Sequence, residues 1–138
     1  MAKPKPILNG FQWVLLIAII ALAIKVNLPD GLVVDTNPID IDGKFVMVVY
    51  ESEDVDDMPF KQSLIFTSTQ LRKYMDDSGY EYRFFDKDVP PSDEPWASAF
   101  KLARESIPWV YATNGKSGFS KPLQADSSAL QADLEVLK

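Results

Sequence analysis

The sequence contains no cysteine and no histidine among its 138 residues, and each absence removes a class of chemistry. Without thiols the chain forms no disulfide bond, no Cys-x-x-Cys redox pair and no thiolate-ligated zinc or iron–sulfur centre. Without imidazoles it lacks the most common general base and the most common ligand of transition metals. Thiol–disulfide exchange, which needs an attacking thiolate, is therefore excluded.

Basic residues are also few. The chain has 14 Lys and Arg against 20 Asp and Glu, which gives a net charge of −6 at pH 7. Nucleic acids are bound chiefly by clusters of Lys and Arg, and the sequence has no such cluster, so we expect no nucleic-acid partner. Hydrophobic residues at 46% and charged residues at 25% are close to globular averages, so the composition predicts a folded core.

The charge is unevenly divided along the chain. Residues 1–28 hold three lysines and no acidic residue, so 11 basic and 20 acidic residues, a net charge of −9, remain for residues 29–138. Pro6–Ile24 carries no charged side chain and spans roughly 28 Å as a helix, close to the thickness of a bilayer core. We therefore predict a single-pass transmembrane anchor within residues 1–28, with Trp13 at one interface and Lys25 snorkelling to the other.

A cleavable signal peptide is the competing interpretation of the same segment. Ala21-Leu22-Ala23 supplies the small-x-small pattern that a signal peptidase recognises. The apolar character continues at Ile24, Val26 and Leu28, which favours an uncleaved anchor. In both cases Lys3 and Lys5 place the N-terminus in the cytoplasm and the acidic part of the chain outside it.

Residues 29–42 are rich in Pro, Gly, Asp and Asn and predict a linker with a short strand at Leu32–Val34. Residues 43–138 then predict one α/β domain with the element order β-α-β-α-β-β-α. The predicted strands are Lys44–Tyr50, Tyr80–Asp86, Trp109–Thr113 and Gly118–Lys121, the last two joined by a hairpin at Asn114-Gly115.

The helices are predicted from apolar residues at three- and four-residue spacing. The first extends over about five turns from Pro59, with Phe60, Leu64, Thr67, Leu71 and Met75 on one face. The second extends from about Pro95 to Glu105, capped by Ser92 or Asp93, with Trp96, Phe100 and Ala103 on one side. The third begins at about Ser127 and buries Leu130, Leu134 and Leu137.

This element order resembles the thioredoxin fold. Ile107-Pro108 directly precedes the third strand, Asn114-Gly115 directly follows it, and the second strand ends in Phe84-Phe85-Asp86, each as in that family. The resemblance implies a cis peptide bond before Pro108 and places Pro108 beside the loop Glu51–Pro59. That loop replaces the Cys-x-x-Cys motif, so the resemblance implies a redox-inactive member.

The loop is the most distinctive chemical feature of the sequence, with five carboxylates in seven residues. We predict that a partner binds where this loop meets Pro108. The candidate binding residues are Ile107, Pro108, Glu51, Glu53, Asp54, Asp56 and Asp57.

A hard cation such as Ca²⁺ is an alternative ligand of these carboxylates. The candidate ligands are Asp54, Asp56, Asp57, Asp86 and Asp88, because the ends of neighbouring strands share one edge of the sheet. The Asp-x-Asp-x-Asp-Gly spacing of a calcium loop is absent, so a solvated acidic loop is favoured over an ion site.

These observations predict a membrane-anchored, redox-inactive thioredoxin-like module that binds protein partners or has a structural role in a membrane-associated assembly. The assembly belongs either to a bacterial envelope or to a virion that contains a membrane. We predict no catalytic residue and no cofactor. The alternative is a secreted enzyme or divalent-cation-binding domain that is released after Ala23 and uses the acidic carboxylates.

The anchor and the signal peptide differ in the mass of the mature protein. We expect the protein to fractionate with membranes and to retain its first 23 residues, because the apolar segment extends past the cleavage pattern. Intact-mass spectrometry of the membrane fraction checks this, and a mass lacking residues 1–23 would contradict the anchor.

Overall fold

The computed structural model describes residues 35–37, 39 and 41–137 of the chain. The predicted anchor (residues 1–28) and the predicted strand Leu32–Val34 lie outside these residues. In chain order the described elements are β1 Asp35–Thr36, β2 Phe45–Tyr50, a 3₁₀ helix Ser52–Asp57, α1 Phe60–Ser63, a 3₁₀ helix Leu64–Phe66, α2 Thr69–Asp77, β3 Glu81–Asp86, α3 Trp96–Phe100, β4 Trp109–Thr113, β5 Ser117–Pro122 and α4 Ser127–Val136.

The strands form one mixed sheet in the order β1-β5-β4-β2-β3. β3 runs parallel to β2, with Phe45 opposite Glu81 and Tyr50 opposite Asp86. β4 is antiparallel to β2, β5 is antiparallel to β4, and β1 is antiparallel to β5. A parallel pair needs a long crossover connection, which the helical residues 52–77 supply. The predicted α/β class is confirmed, and the four predicted strands are present within two residues of their predicted ends.

The core lies on both faces of the sheet. Successive side chains of a strand point to opposite faces, so Val46 and Val48 of β2 face one side while Met47 and Val49 face the other. The first side is covered by α2 and α4 and the second by α3. All four side chains are at most 1% exposed, which explains why β2 is a continuous apolar run rather than an alternating one.

The prediction of one continuous helix from Pro59 to Met75 is wrong. The segment breaks at Thr67, and Ser68 adopts an extended conformation in which its hydroxyl accepts a hydrogen bond from the Leu71 backbone N–H at 3.1 Å. Serine is among the best N-cap residues, so the side chain starts a new helix where the spacing alone predicted continuity. Phe60 and Leu64, expected in the core, are 75% and 41% exposed. Leu71 and Met75, which follow the cap, are buried as predicted.

The predicted second helix, from Pro95 to Glu105, is too long. α3 ends at Phe100, and Ala103 is exposed rather than buried. The Arg104 guanidinium donates to the Phe100 carbonyl at 2.8 Å, the acceptor that a continued helix would use for the Arg104 backbone N–H. The Tyr111 hydroxyl donates to the carbonyl oxygens of Leu102 and Ala103 at 2.9 and 3.2 Å.

Neither predicted cap of α3 is used. The N-cap is Pro95, which makes no side-chain cap hydrogen bond, and the Asp93 carboxylate pairs with Arg83 at 2.8 Å instead. The Asp93 carboxylate, which the sequence pattern assigned to the N-terminus of α3, is thus bound by the Arg83 guanidinium.

The C-terminal hairpin and helix are confirmed. Gly115 has φ +89°, the left-handed conformation that the Asn-Gly pair predicts, and a Cβ there would lie 3.0 Å from the Gly43 backbone nitrogen. The Asn114 side chain accepts from the backbone N–H groups of Lys116 and Ser117 and donates to the Leu137 carbonyl. Its amide therefore joins the turn to the end of α4, whose buried residues are Leu130 and Leu134, followed by buried Leu137.

The Ser68 cap can be tested by substitution. Ser68→Ala leaves the Leu71 N–H without its acceptor, so we expect a loss of about 1 kcal/mol in the free energy of unfolding. Ser63→Ala is the comparison variant, because the Ser63 hydroxyl makes no cap hydrogen bond and donates only to the Phe60 carbonyl, at 2.9 Å. Urea unfolding of both variants followed by circular dichroism measures the difference. Equal stabilities of the two would contradict the cap.

Candidate functional site

A groove lies between the acidic loop, Glu51–Pro59, and the residues that lead into β4. The loop begins at the carboxyl end of central strand β2 and folds into the 3₁₀ helix. The peptide bond between Ile107 and Pro108 is cis, as the resemblance implies, and it directly precedes β4. The cavity has a volume of about 250 Å³ and is called here the Pro108 groove. Its lining residues are Glu51, Asp54, Asp57, Met58, Pro59, Gln62, Ile107 and Pro108.

The 3₁₀ helix Ser52–Asp57 determines which of the predicted binding residues line the Pro108 groove. Glu53 and Asp56 are exposed in the acidic loop but do not line the cavity. A 3₁₀ helix has three residues per turn, so positions 51, 54 and 57 recur on one side and positions 53 and 56 do not. The predicted residues that line the groove are Glu51, Asp54, Asp57, Ile107 and Pro108.

Gln62 forms part of the groove and has no distinctive signal in the sequence. Its side-chain Nε2 donates to the Leu123 and Gln124 carbonyls at 2.9 and 3.2 Å. The Leu123 N–H in turn donates to the Pro108 carbonyl at 3.0 Å. Gln62 and Pro108, on the two walls of the groove, are therefore both bonded to Leu123, which follows β5 and lies 15 positions beyond Pro108 in the chain.

Lys87 is the second residue that the sequence did not single out. Its ammonium lies 2.5 Å from a Glu51 carboxylate oxygen and 2.8 Å from one of Asp88, and these carboxylates raise the pKa of Lys87. Glu51, only 14% exposed, is thus neutralised locally. Asp54 and Asp57 have no such counter-ion among the described residues, so they carry the negative charge that the groove presents.

Asp86 at the end of β3 holds the acidic loop against the sheet. Its two carboxylate oxygens accept the backbone N–H groups of Ser52 at 3.0 Å and of Asp88 at 2.8 Å. Hydrogen bonds from the Ser52 side chain and from these backbone groups lower the pKa of Asp86. The ionised carboxylate is therefore a structural acceptor that fixes the start of the 3₁₀ helix.

Of the predicted cation ligands, Asp86 and Asp88 come together, and the third carboxylate beside them is Glu51. Glu51, Asp86 and Asp88 each place an oxygen within 4.8 Å of the others, while Asp54, Asp56 and Asp57 do not join this cluster. Lys87 already bonds to two of the three carboxylates, and Asp86 is engaged by backbone N–H groups. A cation would have to compete with these protein hydrogen bonds.

A second cavity, of about 420 Å³, lies beside α3. Its lining residues are Ile39, Ile41, Glu94, Pro95, Ser98, Ala99 and Leu102. The one carboxylate among them, Glu94, accepts the backbone N–H of Ser98 at 3.1 Å. The lining is mostly apolar, and its one hydroxyl, that of Ser98, has no His or Lys among the lining residues to activate it, so it suggests no chemistry comparable with that of the Pro108 groove.

No protein-family model, curated protein or solved structure matches this chain. Trp13 and Lys25, the predicted anchor residues, lie outside the described residues. Across residues 35–37, 39 and 41–137, no helix combines the length and apolar character that a membrane crossing requires.

The role of Asp86 predicts a pH-dependent stability. Its folded-state pKa is lower than the ordinary 3.8, so the stabilisation is present at neutral pH and is lost as pH falls through the folded-state pKa. Asp86→Asn retains only one acceptor oxygen and should lower the melting temperature at pH 7. The difference from the unmodified chain should shrink below about pH 3.8. Thermal unfolding of the full chain in detergent across this range checks it.

The control for this prediction is Asp56→Asn, which removes an exposed carboxylate from the 3₁₀ helix Ser52–Asp57. It should leave the melting temperature nearly unchanged at every pH. A difference between Asp86→Asn and the unmodified chain that is constant from pH 7 to pH 3 would rule out the ionised acceptor.

Proposed function

We propose that this chain is a membrane-anchored protein whose domain is a redox-inactive thioredoxin-like module that binds a protein partner within a membrane-associated assembly. The apolar, charge-free segment Pro6–Ile24 supports the anchor, with the N-terminus in the cytoplasm and the domain outside it. The assembly is that of a bacterial envelope or of a virion that contains a membrane.

The sheet supports the thioredoxin-like assignment. After the short β1, the four strands occur in the order β5-β4-β2-β3, with β2 and β3 parallel and β4 antiparallel to β2. Helices cover both faces, and Pro108 lies beside the loop that follows the first core strand. The position of Pro108 and its cis peptide bond are what the resemblance implied.

The Pro108 groove is the observation that carries the binding role. One side presents Asp54 and Asp57, exposed and without a counter-ion among the described residues. The other side presents Ile107, 37% exposed, next to Pro108. Such a groove suits a polypeptide segment that places a Lys or Arg near an apolar side chain, because charge complementarity orients the segment and apolar contact retains it.

Two pairs of charge reversals in the acidic loop test this role. Asp54→Lys with Asp57→Lys reverses the groove carboxylates, whereas Glu53→Lys with Asp56→Lys makes the same charge change outside the groove. We expect the tagged full chain, purified from solubilised membranes, to retain its partner in the second variant and to lose most of it in the first. Quantitative mass spectrometry of the purified complexes measures the ratio.

Equal loss in both variants would mean that only the net charge matters and would argue against the groove. Recovery of the unmodified chain without any partner would contradict the binding role itself. A rise in melting temperature with millimolar Ca²⁺ or Mg²⁺, abolished by Asp88→Asn, would favour the cation-binding alternative instead.

A further inference from the structure

β3 has an open edge. Among the described residues β2 is its single neighbour, and the N–H groups of Glu81 and Lys87 donate to the Lys44 and Tyr50 carbonyls, both at 2.8 Å. Backbone groups of successive strand residues point to alternate sides, so the N–H and C=O groups of Tyr82 and Phe84 point away from β2. No described residue hydrogen-bonds to these groups, and such an edge is a template for another strand.

An aromatic row leads to the same edge. The ring centroids of Tyr50 and Phe66 are 4.8 Å apart, those of Phe66 and Phe84 are 5.5 Å apart, and those of Phe84 and Tyr82 are 6.3 Å apart. Tyr82 and Phe84 are only partly buried. The row therefore ends with two aromatic rings that retain exposed surface at an unpaired strand.

We propose that β3 pairs antiparallel with β3 of a second copy of this chain, about a two-fold axis at Phe84. Phe84 then lies opposite its own counterpart and extends the aromatic row across the axis. Glu81 lies opposite Lys87, the residue directly after β3 whose backbone N–H still bonds to the Tyr50 carbonyl, and Arg83 lies opposite Phe85, each twice by symmetry. Opposite charges and cation–aromatic pairs placed directly across strands stabilise a sheet.

The charges select this register over its neighbours. Moving the two-fold axis from Phe84 to Arg83 places Arg83 opposite Arg83, and moving it to Phe85 places Arg83 opposite Lys87. Both registers put like charges in contact. Lys87 remains able to pair with Glu81 of the second copy, because its bonds to Glu51 and Asp88 use two of its three N–H donors. The proposal is independent of what occupies the Pro108 groove.

The absence of cysteine makes cross-linking a direct test, since introduced thiols are the only ones in the chain. In the proposed register residues 81 and 87 of the two copies are a non-hydrogen-bonded pair with Cα atoms about 4.5 Å apart, within disulfide reach. Within one copy these positions are about 20 Å apart. We expect Glu81→Cys with Lys87→Cys to form covalent dimers on oxidation with diamide, at least tenfold faster than either single variant.

The control variants are the two single cysteines, whose like positions lie about 20 Å apart across the two-fold axis. A second measurement uses charge: Glu81→Lys alone and Lys87→Glu alone should each weaken dimerisation roughly tenfold, and the double reversal should regain part of it. Sedimentation of the full chain in detergent measures this, with melting temperatures confirming that each variant folds.

Three results would overturn the proposal. One is equal cross-linking in the single and double cysteine variants, which indicates random collision. Another is a chain that stays monomeric at every concentration. The last is the finding that the chain forms no dimer and that a strand of a different protein pairs with the edge of β3.

Discussion

The burial of β2 on both faces and its pairing on both edges constrain the rest of the domain. A strand whose four central residues are buried on both faces needs helices above and below it, which explains why the two core layers meet at Val46–Val49. Its parallel partner β3 and antiparallel partner β4 then fix which chain ends converge. The acidic loop leaves from the carboxyl end of β2 at the place where the chain enters β4 through Pro108. The groove is a consequence of this strand arrangement.

The strands could be predicted because their signal is local. After Lys44, the predicted strand Lys44–Tyr50 is apolar, β-branched or aromatic throughout, as is Trp109–Thr113, and such residues favour a sheet position. The helices were predicted less well because their limits depend on side-chain competition. Ser68 ends one periodic pattern by capping the next helix, and the Arg104 guanidinium takes the Phe100 carbonyl that a longer α3 would have used. The spacing of apolar residues does not encode these side-chain hydrogen bonds.

The candidate site shows the same division. Ile107, Pro108 and the acidic loop could be named from the sequence, because a fold resemblance and a charge run are visible in one dimension. Gln62 and Lys87 could not, since a lone Gln and a Lys between two aspartates are common on protein surfaces. Their importance comes from the Leu123 carbonyl and from Glu51, which lie 61 and 36 positions away in the chain. Only the folded chain shows that Glu51 is neutralised while Asp54 and Asp57 remain available.

The hydrogen bonds between the groove and the residues after β5 connect the groove to the C-terminal helix, α4. Gln62 and Pro108 are bonded to Leu123 and Gln124, and the Gln124 side chain reaches Asp133 of α4, which also pairs with Lys121 at 2.7 Å. A bound polypeptide segment that widens the groove must strain these hydrogen bonds. α4 lines no part of the groove, yet it supports the groove residue Gln62 through the hydrogen bonds of Asp133 and Gln124.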